Sequence, residues 1–375
     1  MAEVEGFCDE RFRPLEDAFR ANLDSGLDKG ASLAVTLGGE FVVDLWGGTR
    51  DYELSQSWET DTVVRVFSTS KVMVMITTLM LVDRGLLDLD APIAQYWPEF
   101  AKQGKEAITA RQVLVHRSGL PGFGRSVTFD DVADWDRVVS IIEDAPLWYE
   151  PGTIACYHPH TFGFLLGELV RRLGGVAFEE YFRREIAEPL GADFHFGLST
   201  DEAARVAALW PAEQEPIIDS PMGAAVMGEF ESLDEWIDPQ FLPIVLPAGS
   251  GITNARALAR IGSVVAMNGE LDGRRYLSRA TIDQAATEQS YAEDEVLGWA
   301  RYGLGFGLDS PEFPAPTPST IHWGGYGGSF LTMDPHSGIS CGFAQNQLMI
   351  GEAWGDDPRL TGFWRLLGEI TRDLS

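Results

Sequence analysis

The pattern of apolar and polar positions along the chain predicts β-strands near both ends and helices between them. Two strand-like runs, residues 31–37 and 40–46, are joined by Gly38-Gly39, and a glycine pair between such runs is typical of a tight hairpin turn. Runs rich in β-branched and aromatic residues predict further strands at 63–67, 302–308, 321–323, 329–333 and 339–345.

Helical spacing of apolar residues is clearest at 10–28, where Phe12, Leu15, Phe19 and Leu23 recur three or four positions apart. Residues 69–84 are apolar on nearly every side, which predicts a buried helix that ends near Gly85. Further helices are predicted at 132–143, 161–173, 178–186, 255–268, 279–288 and 359–373.

This order of elements predicts an α/β protein of the α+β type, with a central antiparallel sheet flanked by helices and an inserted helical domain. We predict that residues 1–90 and 250–375 form the sheet domain and that residues 91–249 form the mainly helical insertion. The length of 375 residues agrees with two packed parts, since single domains usually span about 100–200 residues. A cleft between two such parts is a usual place for a small-molecule site.

The net charge of the chain limits the kinds of molecule that it is expected to bind. Asp and Glu outnumber Lys and Arg by 57 to 28, which gives a net charge of −29. Such a surface repels nucleic-acid phosphates and anionic lipid headgroups, so we predict a small-molecule substrate and neither a nucleic-acid nor a membrane partner. The acidic N-terminus lacks a leader pattern and no apolar run approaches about 18 residues, so a cytoplasmic location is expected. The sequence favours no particular oligomeric state.

Lysine is rare in this chain, and one of the four lysines stands beside an apolar run. Lys29, Lys102 and Lys105 lie in polar, turn-like stretches, whereas Lys71 opens the predicted buried helix. Ser68 precedes Lys71 by three positions, so the two side chains share one helix face. A lysine whose pKa is lowered by burial can remove the proton from a serine hydroxyl, which is otherwise a weak nucleophile. The alternative is that Ser68 is an N-cap and Lys71 snorkels.

Tyr157 lies in a loop shortly before the predicted helix at 161–173, so its phenol can project into a cleft and relay a proton from Ser68 to a leaving group. The alternative is a packed aromatic side chain. His158 and His160 alternate as two metal ligands would, yet no third or fourth ligand is visible, and the three cysteines are widely spaced. We therefore predict no metal, no cofactor and no disulfide framework. Structural roles or loop hydrogen-bond networks are assigned to the other histidines, His116, His195, His322 and His336.

A glycine-rich segment, Trp323-Gly324-Gly325-Tyr326-Gly327-Gly328-Ser329, lies on or beside a predicted strand edge. Glycines there let a ligand approach the backbone, and a backbone N–H of this strand can join that of Ser68 as an oxyanion hole. The alternative is a glycine-rich bulge or turn. A second pattern, Gly338-Ile339-Ser340-Cys341-Gly342, matches the Gly-x-Ser-x-Gly nucleophile elbow, but strand-like sequence continues where that elbow requires a helix. We therefore do not assign the nucleophile to Ser340.

Ser68-x-x-Lys71, Tyr157 before a helix and the late glycine-rich strand, in this order, resemble the serine β-lactamase and penicillin-binding-protein superfamily. Three further segments resemble its family VIII carboxylesterase branch: Asp44-Leu45-Trp46-Gly47-Gly48, His116-Arg117-Ser118-Gly119-Leu120-Pro121 and Glu150-Pro151-Gly152-Thr153. The resemblance implies the fold predicted above, with Ser68 acylated, Lys71 as base and Tyr157 assisting proton transfer. It aligns Trp323-Gly324-Gly325 with the Lys-Thr-Gly motif and implies an oxyanion hole made by the backbone N–H groups of Ser68 and Tyr326.

Two positions depart from the lactamase pattern. Pro159 stands where an asparagine is common, and Trp323 replaces the lysine of Lys-Thr-Gly. Both changes remove polar contacts to a lactam amide or carboxylate. We therefore predict a carboxylesterase that cleaves small, short-acyl esters, with acyl preference set by loops such as 119–130 and 210–247. The alternatives are β-lactamase or D-Ala peptidase activity, acyl transfer, and a catalytically silent ligand-binding module.

Overall fold

The computed structural model describes residues 3–214, 217–230, 238–351 and 356–374. Within these ranges the strands are β1 (Val4–Cys8), β2 (Gly30–Leu37), β3 (Glu40–Gly48), β4 (Val64–Arg65), β5 (Phe194–His195), β6 (Ile252–Thr253), β7 (Glu270–Leu271), β8 (Arg274–Arg275), β9 (Ser290–Asp294), β10 (Gly298–Tyr302), β11 (Gly307–Leu308), β12 (Ile321–Gly324), β13 (Phe330–Asp334) and β14 (Ile339–Gln345). The α-helices are α1 (Arg13–Ser25), α2 (Lys71–Asp83), α3 (Ala110–Leu114), α4 (Phe129–Ala133), α5 (Trp135–Asp144), α6 (Thr161–Gly174), α7 (Phe178–Phe182), α8 (Glu188–Leu190), α9 (Pro221–Met227), α10 (Ala255–Ala266), α11 (Arg279–Ala285) and α12 (Pro358–Leu374).

Strands from both ends of the chain share one antiparallel sheet. Within the described ranges it has nine strands in the order β1-β3-β2-β14-β13-β12-β11-β10-β9. The β2–β3 hairpin turns at Gly38 and Gly39, whose φ angles of 62° and 86° are positive, as glycine permits. On its other side β2 pairs with β14, so that Ala31 faces Gln345. The N-terminal strand β2 and the last strand, β14, therefore lie side by side within the sheet.

Helices cover both faces of this sheet. On one face α1 and α12 contact each other and enclose a core that contains Phe19, Phe330 and Trp364. On the other face α10 lies against β2, β13 and β14, and α2 packs on α6 in a larger core. Every residue of α2 from Lys71 to Leu81 is buried. The mixed fold with a large antiparallel sheet and flanking helices agrees with the sequence prediction.

The helices α3 to α9 lie within residues 91–249. One strand of this segment, β5, pairs with β6, which also pairs with β4. This small sheet joins the helical segment to the parts of the chain before and after it. The division into a sheet domain and an inserted helical domain remains our proposal. No helix in the described part of the chain has both the length and the apolar character required to cross a bilayer.

Some predicted elements differ in extent. The strand predicted at 63–67 shortens to β4, because a 3₁₀ turn begins at Phe67. The strand predicted at 302–308 is interrupted between β10 and β11, and the helix predicted at 178–186 changes from α7 to a π-helical turn at Arg183–Ala187. The sequence does not predict the edge strands β1 and β9, whose exposed residues lack apolar alternation.

Lys105 lies between two turns, as inferred, but it is buried, which its polar, turn-like stretch did not indicate. Its side chain is fully buried, and Nζ donates hydrogen bonds to the carbonyl oxygens of Glu143, at 2.9 Å, and Ala145, at 2.6 Å. These partners lie about 40 positions along the chain, so the local sequence gives no sign of them. Lys71 is therefore one of two buried lysines in the described residues.

Candidate active site

Ser68 lies on a tight turn between β4 and α2. The 3₁₀ turn spans Phe67–Ser70, and Phe67 has a φ of 44°, a left-handed conformation that is unfavourable for a bulky residue. The N–H of Val66 donates to the carbonyl of Gly251 at 2.9 Å, and the N–H of Gly251 donates to Ser70 Oγ at 3.0 Å. Hydrogen bonds to Gly251 thus stabilise the turn, which places Ser68 at the start of α2.

Lys71 is the first residue of α2 and is fully buried. Its Nζ lies 3.1 Å from Ser68 Oγ and donates to the carbonyl oxygens of Pro159, at 2.8 Å, and Ala248, at 3.1 Å. Gly163 permits this arrangement, because a Cβ there would collide with the backbone nitrogen of Ala248. Burial lowers the pKa of Lys71 well below 10.5.

The neutral form of Lys71 fits its surroundings. A neutral amine has two N–H donors and one lone pair, and the two carbonyl oxygens use both donors. The lone pair is then left for the hydroxyl proton of Ser68. The structure therefore brings the two predicted residues together in the geometry that a base and its nucleophile require.

Tyr157 completes a hydrogen-bonded chain of three side chains. Its Oη donates to Ser68 Oγ at 2.7 Å, and Lys71 Nζ lies 4.7 Å from the centre of its ring. Burial raises the pKa of Tyr157 above its usual value of 10, so the resting phenol keeps its proton. Tyr157 Oη, Ser68 Oγ and Lys71 Nζ therefore lie in one continuous hydrogen-bonded chain.

His116 is a buried residue of this site that the sequence did not single out. Its ring centre lies 4.9 Å from that of Tyr157 and 5.9 Å from that of Trp323. Its Nδ1 accepts the backbone N–H of His158 at 3.1 Å, and burial lowers its pKa well below 6.5. The signal was present in the His-Arg-Ser-Gly-Leu-Pro segment that carried the family resemblance, but its partners are far apart in the chain.

The alternating histidines after Tyr157 face separate surroundings. His158 Nδ1 lies 2.6 Å from the carbonyl oxygen of Cys156 and must donate to it, so Nε2 accepts from Ser118 Oγ at 2.6 Å. Burial lowers the pKa of both His158 and His160 to about 3. Within the described ranges, no group of three or more His, Cys, Asp or Glu side chains is arranged to bind a metal.

The glycine-rich strand runs directly past Ser68. Gly325 follows β12 and packs so tightly that a Cβ would collide with the carbonyl oxygen of Val66 and with Ser329 Oγ. Trp323 is buried with its ring centre 6.0 Å from that of Tyr157. The Tyr326 ring packs against Phe67 instead of facing the cavity beside Ser68.

The cavity beside Ser68 and Tyr157 has a volume of about 350 Å³ and is bordered by Trp323, Gly324 and Gly325. The rest of its wall is mainly apolar, with Leu297, Trp299, Ala300, Tyr302, Leu308 and Phe313. His322 also borders it, although the sequence suggested only a structural role.

The expected contribution of the loops at 119–130 and 210–247 differs from what the cavity shows. The first loop does not border the cavity, and the second contributes Ile217, with 215–216 and 231–237 outside the described residues. Residues 297–313 shape the wall in their place, because the β9–β10 hairpin and the chain after β11 extend beside the glycine-rich strand.

Ser340 lies elsewhere, in the middle of β14. It is fully buried beneath α10, where its Oγ approaches Gly262. No strand-to-helix turn follows it, since β14 continues to Gln345. The Gly-x-Ser-x-Gly pattern is therefore part of a sheet core and presents no nucleophile to a cavity.

The large antiparallel sheet, its helical cover and a serine beside a buried lysine at the head of a helix define the class of β-lactamase-like serine hydrolases. The chain belongs to the Beta-lactamase family, whose model matches residues 15–360.

Known relatives agree with this assignment. The chain is 31% identical to "Esterase/beta-lactamase LipL" of Mycobacterium tuberculosis, with 97% of this chain and 88% of LipL covered. It is 28% identical to "Esterase EstB" of Burkholderia gladioli, with 83% and 84% covered. A solved structure described as a family VIII carboxylesterase superposes with a TM-score of 0.92 at 32% identity, covering 98% of this chain and all of that one.

Proposed function

We propose that the chain is a serine carboxylesterase that cleaves small esters with short acyl groups. Lys71 takes the proton of Ser68 as Oγ attacks the ester carbonyl carbon. Tyr157 gives its phenolic proton to the alcohol oxygen as the C–O bond breaks, and the Lys71 ammonium then returns a proton to Tyr157. Water attacks the resulting acyl-enzyme by the reverse relay and releases the carboxylic acid.

The observation that carries this proposal is the chain of hydrogen bonds from Tyr157 through Ser68 to Lys71. Distances of 2.7 Å and 3.1 Å join the three polar atoms without an intervening water. The raised pKa of the phenol and the lowered pKa of the amine give one proton donor and one proton acceptor on either side of the nucleophile. Pairs of groups whose environments move their pKa values apart are typical of acid–base catalysis.

We assign the oxyanion hole to the backbone N–H groups of Ser68 and Tyr326. The assignment is supported by the close packing of Gly325 against Val66, which fixes the glycine-rich strand beside the Ser68 turn. The N–H of Gly325 donates to the carbonyl of Ser329 at 2.8 Å, so the strand keeps its course up to the residue before Tyr326. Preorganised backbone donors of this kind stabilise the developing oxyanion.

An uncharged substrate suits the cavity. The cation in its wall, Arg301, is engaged by Glu288 at 2.7 Å and by the carbonyl of Asp309 at 2.8 Å. Trp323 supplies an indole where a lysine would attract the carboxylate of a β-lactam. Esterase is also the activity named for LipL and EstB, whereas the second activity in the LipL name makes β-lactam hydrolysis the competing candidate.

Hydrolysis of p-nitrophenyl esters from acetate to octanoate tests the proposal. We expect saturable turnover that is highest for the short acyl groups and that falls by roughly three orders of magnitude or more in Ser68→Ala. A chromogenic cephalosporin serves as the competing substrate, and faster turnover of it would favour a lactamase. Product analysis with added methanol separates hydrolysis from acyl transfer. Ligand binding without any Ser68-dependent turnover would instead indicate a silent binding module.

A further inference from the structure

Three consecutive backbone N–H groups around Tyr157 are bound by distant parts of the chain. The N–H of Cys156 donates to the carbonyl of His116 at 3.0 Å, and the N–H of His158 donates to His116 Nδ1 at 3.1 Å. The N–H of Tyr157 itself donates to Asp294 Oδ1 at 3.0 Å. The loop that carries the phenol is therefore fixed through its backbone.

Asp294 binds more than this one loop. The same Oδ1 accepts the N–H groups of Val296, at 2.9 Å, and Leu297, at 3.1 Å. Leu297 belongs to the turn between β9 and β10, and together with Trp299 it borders the cavity beside Ser68. One buried oxygen thus joins the backbone of Tyr157 to the wall of the cavity.

Asp294 is buried, so its carboxyl group fixes the local backbone geometry and is not a solvent-exposed surface group. Only 4% of its surface is exposed, and it ends β9 where Ala155 forms a bridge with it. The N–H of Glu295 adds a hydrogen bond of 3.0 Å to the carbonyl of Ala155. A buried carboxylate is costly unless it is well hydrogen-bonded, and here three donors converge on one of its oxygens.

We propose that Asp294 is a positioning residue of the esterase reaction. It holds the Tyr157 phenol against Ser68 and fixes the position of the Leu297–Trp299 wall relative to that phenol. The proposal rests on the proposed function of the Ser68 site. Without the carboxylate, Tyr157 keeps its side chain but loses the anchor of its backbone. A displacement of about 1 Å in a reacting group can lower the rate on the order of 100-fold.

The test compares Asp294→Ala with Asp294→Asn, which keeps an acceptor oxygen. Reactive Ser68 is counted by the burst from a p-nitrophenyl phosphonate, so that kcat refers to folded sites. We expect Asp294→Ala to lower kcat for p-nitrophenyl acetate between 10- and 100-fold and to raise KM more for butyrate than for acetate. Asp294→Asn should keep kcat within about threefold of the wild type, since the acceptor remains. If Asp294→Ala does not fold, Asp294→Ser retains a shorter acceptor and should show an intermediate kcat.

Asp334 supplies the matched control. It is also 4% exposed, and its Oδ1 accepts the backbone N–H groups of His336 and Ser337, but it does not border the cavity. Asp334→Ala should lower the melting temperature and leave kcat per titrated site unchanged.

An unchanged kcat per titrated site in Asp294→Ala or Asp294→Ser, or an equal loss in Asp334→Ala, would overturn the inference. Wild-type turnover that depends on Ser68 is measured first. Absence of Ser68-dependent turnover at that stage would refute the proposed function. Ser68-dependent turnover that is unchanged by substitution of Asp294 would refute only this inference.

Discussion

Replacing Lys71 with methionine tests whether the folded enzyme holds this amine without its proton. Methionine keeps an unbranched chain and removes the nitrogen. In the folded wild type, burial lowers the pKa of Lys71 well below 10.5, whereas an unfolded chain restores a value of about 10.4. Between these two values the unfolded state binds one proton more than the folded state.

The size of the effect follows from proton linkage. Because the unfolded state binds the extra proton, the free energy of unfolding of the wild type rises with pH across this window, by about 1.4 kcal/mol per pH unit for one proton. For an amine that stays neutral in the folded state throughout the range from pH 8 to pH 9.5, the gain amounts to about 2 kcal/mol. Lys71→Met lacks the group, so its free energy of unfolding relative to the wild type should fall by that amount. Histidines are neutral in both states above pH 8 and cancel from the comparison.

The assay is urea unfolding of both proteins at several pH values from 8 to 9.5, followed by tryptophan fluorescence. In parallel, kcat for p-nitrophenyl acetate should fall between about 100- and 10,000-fold in Lys71→Met, because the general base is gone. Lys105→Met is the control for activity, since Lys105 is also fully buried and bound by two carbonyl oxygens. It should keep the wild-type kcat. A stability difference between wild type and Lys71→Met that does not change with pH would refute the neutral amine.

Three further substitutions extend the test of the site. Tyr157→Phe should lower kcat by about 100-fold or more and change the free energy of unfolding by only about 1 kcal/mol, as rate measurements and urea unfolding would reveal; a loss below tenfold would argue against the relay. Gly325→Ala forces a Cβ against Val66 and Ser329, so we expect about 1–3 kcal/mol of destabilisation and a lower kcat, and a wild-type melting curve would contradict the packing. Ser340→Ala should leave kcat unchanged in the same ester assay, whereas inactivation would restore the nucleophile elbow as a candidate.

Local features of the site could be predicted because the relevant partners lie close in sequence. Ser68 and Lys71 are one helical turn apart, and the apolar run that follows them implies burial. The Gly38-Gly39 hairpin could also be predicted, because two adjacent residues determine its turn. The interaction of Tyr157 with Ser68 was suggested by the loop position of Tyr157 and by the family resemblance, and not by spacing, because the loop and the turn are separated by 89 positions.

Features that depend on distant partners could not be predicted from the sequence. The burial of Lys105 depends on carbonyl groups near residue 145, and charge alone suggested exposure. His116 packs between Tyr157, Tyr302 and Trp323, which come from separate parts of the chain. The edge strand β1 was not predicted for a different reason, because an edge strand with largely exposed residues needs no apolar alternation.

The pairing of β2 with β14 also bears on how the chain folds as it leaves the ribosome. The β2–β3 hairpin is translated within the first 50 residues, yet its inner partner, Ile339–Gln345, is translated some 300 residues later. Until then the backbone donors and acceptors along the inner side of β2 have no native strand to bind, and an open strand edge invites association with other chains. Closing so long a loop is slow for a growing polypeptide. Folding of the sheet therefore finishes only after β14 has been synthesised.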